Sequence, residues 1–105
     1  MAPSKLAKQT RKDARRDAAA AHQLALWYSR GVEGLSQDFQ LAVRWELEAA
    51  ERKCTDAQHE LGVWYFHGTM GLQVDHAAAF VLIEKAALQG RSFPTYTSPY
   101  FLSLT

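Results

Sequence analysis

The side chains of this chain best suited to metal binding or nucleophilic chemistry are four histidines, His22, His59, His67 and His76, and a single cysteine, Cys54. A structural zinc site draws on closely spaced Cys and His pairs. The histidines do not show that pairing, and Cys54 has no second cysteine to join it. Neither a Gly-x-Ser-x-Gly nucleophile turn nor a phosphate-binding loop is present. Gly31-x-x-Gly34 and Gly68-x-x-Gly71 are glycine-rich, but each ends a helical pattern and does not follow a strand, so both read as turns. On this reading there are no catalytic, cofactor-binding or metal-ligating residues, and no enzymatic activity is expected.

Two of the histidines carry a different message. His22 and His59 stand 37 residues apart, and the same step superimposes Ala20, Leu24, Trp27, Tyr28, Gly31, Gly34, Leu35, Asp38, Ala42, Ala49 and Ala50 on identical residues. Twelve of the thirty-four aligned positions from Ala20 to Lys53 are identical, without a gap. A fixed period between about 20 and 50 residues marks a repeat architecture, in which each unit is one supersecondary element stacked on the next.

The elements of that unit follow from periodicity. From Asp17 to Arg30, Ala20, Ala21, Leu24, Ala25 and Tyr28 fall on one helical face, and Gly31 supplies the left-handed position that closes the helix. Gly31–Gln37 is a short loop, and Asp38 caps the next helix. That helix runs from Phe39 to about Lys53. Phe39, Ala42, Trp45 and Ala49 form its buried stripe, with Ala50 beside it, while Glu46, Glu48, Glu51, Arg52 and Lys53 mark a wetter side. Thr55 or Asp56 is expected to cap a third helix, Ala57 to His67, which buries Ala57, Leu61, Gly62 and Tyr65. Asp75 caps a fourth, His76 to Gln89, which buries Ala79, Leu82, Ile83, Ala86 and Ala87 and ends at Gly90. Recurrent alanines suit close helix crossings, where a larger side chain would force the backbones apart. The predicted fold class is therefore all-α: a helical-hairpin repeat solenoid with four core helices. A basic helical arm (1–16) precedes residues 17–90, which hold the repeats at about 20–53 and 57–90, and an irregular tail (91–105) follows.

Composition agrees with an ordinary globular domain. Of 105 residues, 48% are apolar and 22% charged, and the length supports a single domain. No run approaches the roughly 20 apolar residues of a membrane span, and no apolar core near the N-terminus suggests a secretory signal. One cysteine fits a reducing compartment, so a cytoplasmic location is expected. Charge is uneven. Residues 1–17 carry six basic and two acidic residues, or +4, and the rest carry six basic and nine acidic, or −3. Lys5, Lys8, Lys12 and Arg15 would share one face of a helix begun by Ser4, read here as a solvated, partly frayed arm.

The pattern Ala-x-x-x-Leu-(Gly/Ala)-x-x-Tyr-x-x-Gly-x-x-Gly-Leu-x-x-Asp-x-x-x-Ala, followed by Ala-Ala, resembles the Sel-one-like repeat. The second copy carries it most fully, in Ala57, Leu61, Gly62, Tyr65, Gly68, Gly71, Leu72, Asp75, Ala79, Ala86, Ala87 and Gly90. The first copy departs from it at Ala25 and Lys53, where glycine is usual. Plain tetratricopeptide repeats are the next best match, but they run shorter and lack the double-glycine loop. The resemblance implies an α-solenoid used as a protein–protein scaffold or adaptor. Some secreted members resemble β-lactamases, but those are rich in paired cysteines.

If the first helix of each unit lines an inner wall, the residues left to contact a ligand are His22, Leu26, Ser29 and Arg30, with His59, Val63, Phe66 and His67 in the second copy. This mixture of aromatic, aliphatic and cationic side chains suits capture of a peptide or helix. The leading expectation is thus a binding module for a protein or peptide. The alternative is a nucleic-acid-associated protein that uses the basic arm, and a remote one is a β-lactamase-like hydrolase. No membrane partner is expected. Two repeats are few for a continuous core. The chain is therefore expected either to belong to a longer array or to self-associate through its last helix.

Overall fold

The computed structural model describes residues 2–89. The tail at 91–105 and the closing Gly90 lie outside the described residues. Five helices follow one another: α1 (Lys5–Asp13), α2 (Ala18–Arg30), α3 (Phe39–Glu51), α4 (Thr55–His67) and α5 (His76–Leu88). Among the described residues there is no strand. Helices α2 and α3 form one hairpin and α4 and α5 the next. Each helix packs chiefly against its neighbours in the chain, as in a solenoid.

The two hairpins turn in the same way. Trp27 and Trp64 carbonyls accept the closing amides of Gly31 and Gly68, both left-handed at φ 68°. Glu33–Gly34 and Met70–Gly71 then take positive φ in succession, and the Leu35 and Leu72 amides bond back to the Val32 and Thr69 carbonyls at 3.0 Å. Two consecutive positive φ values define a type I′ turn, which leaves glycine as the natural second residue. The Asp38 and Asp75 amides return to the Tyr28 and Tyr65 carbonyls at 2.9 Å, and their carboxylates cap α3 and α5 at 3.0 Å. Conserving both ends of the loop conserves the angle at which the second helix meets the first.

The helix crossings are lined by alanine. Ala42 and Ala49 on α3, and Ala79 and Ala86 on α5, are fully buried, as are Ala21, Leu24 and Ala25 on α2 and Ala57 and Leu61 on α4. One polar bond joins the units and a second braces the latter hairpin: Gln58 Nε2 donates to the Ala50 carbonyl at 3.1 Å, and Gln89 Nε2 donates to Gln58 Oε1 at 2.8 Å.

Four expectations are corrected. First, α1 is not a frayed arm. Ala7 and Ala14 are fully buried and Thr10 nearly so, with the same seven-residue alanine spacing as Ala42/Ala49 and Ala79/Ala86. The abundance of lysine and arginine on its other faces obscured that stripe. Second, Glu46 does not lie on a wet side; it is fully buried. Third, Cys54 occupies the N-cap of α4, its side chain making no capping bond to the helix, and Thr55 and Asp56 fall inside the helix. The shift arises because Lys53 closes α3 in a left-handed conformation (φ 67°), with Lys53 and Cys54 amides bonding to the Ala50 and Ala49 carbonyls. Fourth, Phe39 is 42% exposed and does not form part of the buried stripe of α3. On α5, Phe80, Val81 and Leu88 are also exposed.

Two stability predictions follow from this geometry. Ala49→Leu or Ala86→Leu should overpack a closed crossing and cost about 1–3 kcal/mol, read as a lowered melting temperature. Lys53→Gly should act in the opposite sense. It removes a left-handed Cβ at a helix terminus where glycine is favoured, a gain of about 1 kcal/mol, or roughly 4–8 °C in the melt of a domain this size. An unchanged melt for Lys53→Gly would show that the left-handed turn is not strained.

Candidate partner-binding surface

The residues proposed for the inner wall come from α2 and α4, and the structure treats them differently. On α2, His22 is directed into the hairpin. Its Nδ1 lies 2.7 Å from Glu46 Oε1 on α3, and the His22 side chain is 17% exposed. His22 therefore joins two helices through Nδ1. Leu26 is half-buried and contributes to the core. Ser29 is half-buried and its Oγ donates to the Leu26 carbonyl at 2.7 Å. Arg30, in the last turn of α2, is exposed.

On α4, His59 is half-buried and burial lowers its pKa below the ordinary 6.5. Val63 is half-buried. Phe66 and His67 are exposed at the C-terminal end of the helix. Phe66 is held by neighbours: its ring stacks on His76 at a centroid distance of 4.6 Å and meets the edge of His67 at 5.2 Å. His76 opens α5, directly after the capping Asp75. It was not among the residues assigned to the inner wall from the sequence. The signal that would have found it is a swap between copies: Ser29 and Phe39 in the first unit stand where Phe66 and His76 stand in the second.

Glu46 is the second residue that sequence reasoning placed incorrectly. Burial raises its carboxyl pKa from 4.5 to about 7, against the opposing bond to His22. Its Oε2 has no hydrogen-bond partner among the described residues. A buried unmatched oxygen penalises the charged form more than the neutral one. Glu46 Oε1 thus meets His22 Nδ1 at a site sealed from solvent on the Glu46 side. In the second unit the same position is Ile83, so this polar link belongs to the first hairpin. Among the described residues, no group of three or more His, Cys, Asp or Glu side chains is placed to hold a metal ion. No described helix is long and apolar enough to cross a membrane.

Stacked helical hairpins joined by matched glycine turns define an α-solenoid of short repeats. The chain belongs to the Sel1 repeat family, which matches residues 18–54 and 55–90, one span for each hairpin. Such repeats are generally protein-interaction modules. Among solved structures, a protective antigen present in uropathogenic Escherichia coli strains, described as displaying an SLR fold, superimposes with a TM-score of 0.76 and 32% identity over 81% of this chain. The chain spans 18% of the length of that protein. No curated protein matches the sequence.

The Glu46–His22 pair generates a pH prediction. Because the Glu46 pKa is raised on folding, the folded state binds the proton more tightly than the unfolded chain. Its contribution is fully present below about pH 4.5 and is lost as pH rises through about 7. His59, with its lowered pKa, works in the opposite direction as pH falls below 6.5. The comparison that isolates Glu46 is therefore parent against Glu46→Gln. The stability of the parent relative to the variant should decline between about pH 5 and 7 in chemical-denaturation curves, and parallel profiles would show that Glu46 does not titrate on folding.

Proposed function

We propose that this chain is an interaction module that holds a peptide or helix of another protein along α2 and α4, with no catalytic step. The observation that carries the reading is Phe66. It is a large aromatic ring left 42% exposed, yet fixed in position by His76 and His67. An aromatic ring that is already ordered loses little freedom on binding, and such rings dominate the energetics of protein interfaces. Val63 supplies aliphatic surface beside it. His67 and Arg30 supply hydrogen-bond donors, and Arg30 is a permanent cation suited to an acidic side chain on the partner. Leu26, Ser29 and His59 contribute partly covered edges of the same two helices. His22 takes a supporting role, because its ring is committed to Glu46. A ligand with an apolar anchor and a nearby carboxylate fits this arrangement, and a single Cys54 suits a reducing, cytoplasmic setting.

Peptides selected from a random displayed library against the full chain provide the test. Phe66→Ala should weaken their binding by about 10-fold or more, equivalent to about 1.4 kcal/mol, and Arg30→Ala by a few-fold. Lys85→Ala on α5 should leave binding unchanged. Selected peptides that bind the Phe66 and Arg30 variants as tightly as the parent would remove this surface from consideration.

A further inference from the structure

The six basic residues before residue 17 are more than a solvated tail. We infer that α1 presents a rigid row of cations that binds the phosphate backbone of a nucleic acid, a function separate from peptide capture on α2 and α4.

Helix α1 is held at both ends. At its N-terminus, the Ser4 amide donates to the Glu33 carbonyl at 2.9 Å, and Ser4 Oγ donates to Glu33 Oε1 at 2.9 Å. The same Oγ accepts from the Ala7 amide and caps the helix. A methyl group at Gly34 would collide with the Ala2 backbone, so residues 2–4 lie directly on the first turn. At the other end, Arg52 Nη1 donates to the Ala14 carbonyl at 2.9 Å. Between these two anchors Ala7, Thr10 and Ala14 are buried. The helix is clamped at both ends and seated along its length, so its outward side chains project from a fixed base.

Those outward side chains are Lys5, Lys8, Arg11 and Lys12, followed by Arg15 and Arg16 in the turn after the helix, and all six are exposed. Five of them, from Lys8 to Arg16, line one surface groove. Among the described residues, no carboxylate lies within ion-pair distance of any of them. The two acids of the segment are otherwise engaged: Asp13 accepts from Gln9 Nε2, and Asp17 caps α2 through the Ala19 amide. The cations are therefore not neutralised within the fold. The segment carries +4 while the remaining chain carries −3, so the molecule has a positive end. A field of this shape orients an approaching polyanion.

The composition of the face selects the partner. A protein interface needs a desolvated centre with apolar or aromatic anchors, and Leu6 is the one large apolar residue exposed on α1. Insertion into a membrane surface would need several such residues. A phosphate backbone needs neither: positive charges at regular intervals suffice, and contact with it is independent of base sequence. Lys5, Lys8 and Lys12 span seven residues of helical register, a rise of roughly 10 Å, and Arg15 follows in the turn after α1. That length accommodates several successive phosphates, given about one charge per 1.7 Å of duplex axis.

Fluorescence anisotropy of the full chain with a labelled 20-base-pair duplex of arbitrary sequence tests this directly. Binding is expected in the micromolar range at low salt, with log affinity falling against log salt at a slope of about −3 to −4 for roughly four phosphate contacts. The triple variant Lys8→Glu, Lys12→Glu, Arg15→Glu should lose at least ~30-fold in affinity. The neutral triple variant, with Gln at the same three positions, should fall between it and the parent. Both sets lie on exposed sites, so circular dichroism melts should overlay the parent and separate loss of binding from loss of fold. The inference is overturned by any of three results: no duplex binding at about 20 mM salt, equal binding by the folded glutamate variant, or binding to phosphatidylserine vesicles without binding to duplex. Because these variants leave Phe66 and Arg30 intact, peptide binding should persist in them.

Discussion

The close crossing of helices through alanine pairs seven residues apart is the constraint on which the rest of this structure depends. Ala42/Ala49, Ala79/Ala86 and Ala7/Ala14 are all fully buried. A methyl group at each point lets two backbones approach closely, and ridges of side chains on either side then interlock. Such contacts tolerate neither a larger residue nor a change of angle. The turn that joins the helices must therefore deliver the second helix at a fixed orientation. The matched positive φ values, the returning Asp amides and the aspartate caps are the local devices that do this. Because each helix meets mainly its chain neighbours, the stack is assembled from repeated local solutions and needs no long-range closure.

The two hairpins differ at a few positions. In the second, Gly62 leaves room for Ile83, whose Cγ1 would lie 2.8 Å from a Cβ at that glycine. In the first, Ala25 carries the methyl itself and the facing residue is Glu46. Its carboxyl group finds His22 and not an aliphatic neighbour. The exchange keeps the crossing filled while converting an apolar contact into a polar one. A second exchange, Ser29 and Phe39 against Phe66 and His76, moves the exposed aromatic ring from α3 to α4 and gives it a stacking partner. A third places Lys53 in a left-handed closure that glycine would occupy more comfortably. The repeated framework holds position, and the substitutions upon it supply polarity, aromatic surface and charge.

Helix α1 extends the same logic beyond the matched repeats. Its buried alanine spacing copies that of α3 and α5, and its outer face is basic where α5 exposes Phe80, Val81 and Leu88. That face concentrates positive charge on a base made rigid by Ser4, Glu33 and Arg52. The described stack thus has two unlike ends, one cationic and one apolar, joined by a pair of hairpins with an ordered aromatic ring between them.

What could be read from the residues alone was whatever is local. The period, the four core helices, the glycine turns and the aspartate caps at Asp38 and Asp75 are decided by side chains acting within a few residues of one another, so the linear pattern contains them. Three things required the folded chain. The docking of α1 rests on Glu33 and Arg52, 29 and 38 residues from the groups they bind, and no periodicity reports such bonds. Glu46 lies among charged neighbours in sequence, and only the packing of α2 on α3 turns it inward to His22. Phe66 gains its stacking from His76 because the turn between them folds back. In each case the deciding energy is a contact between elements, which exists only once the helices have been brought together.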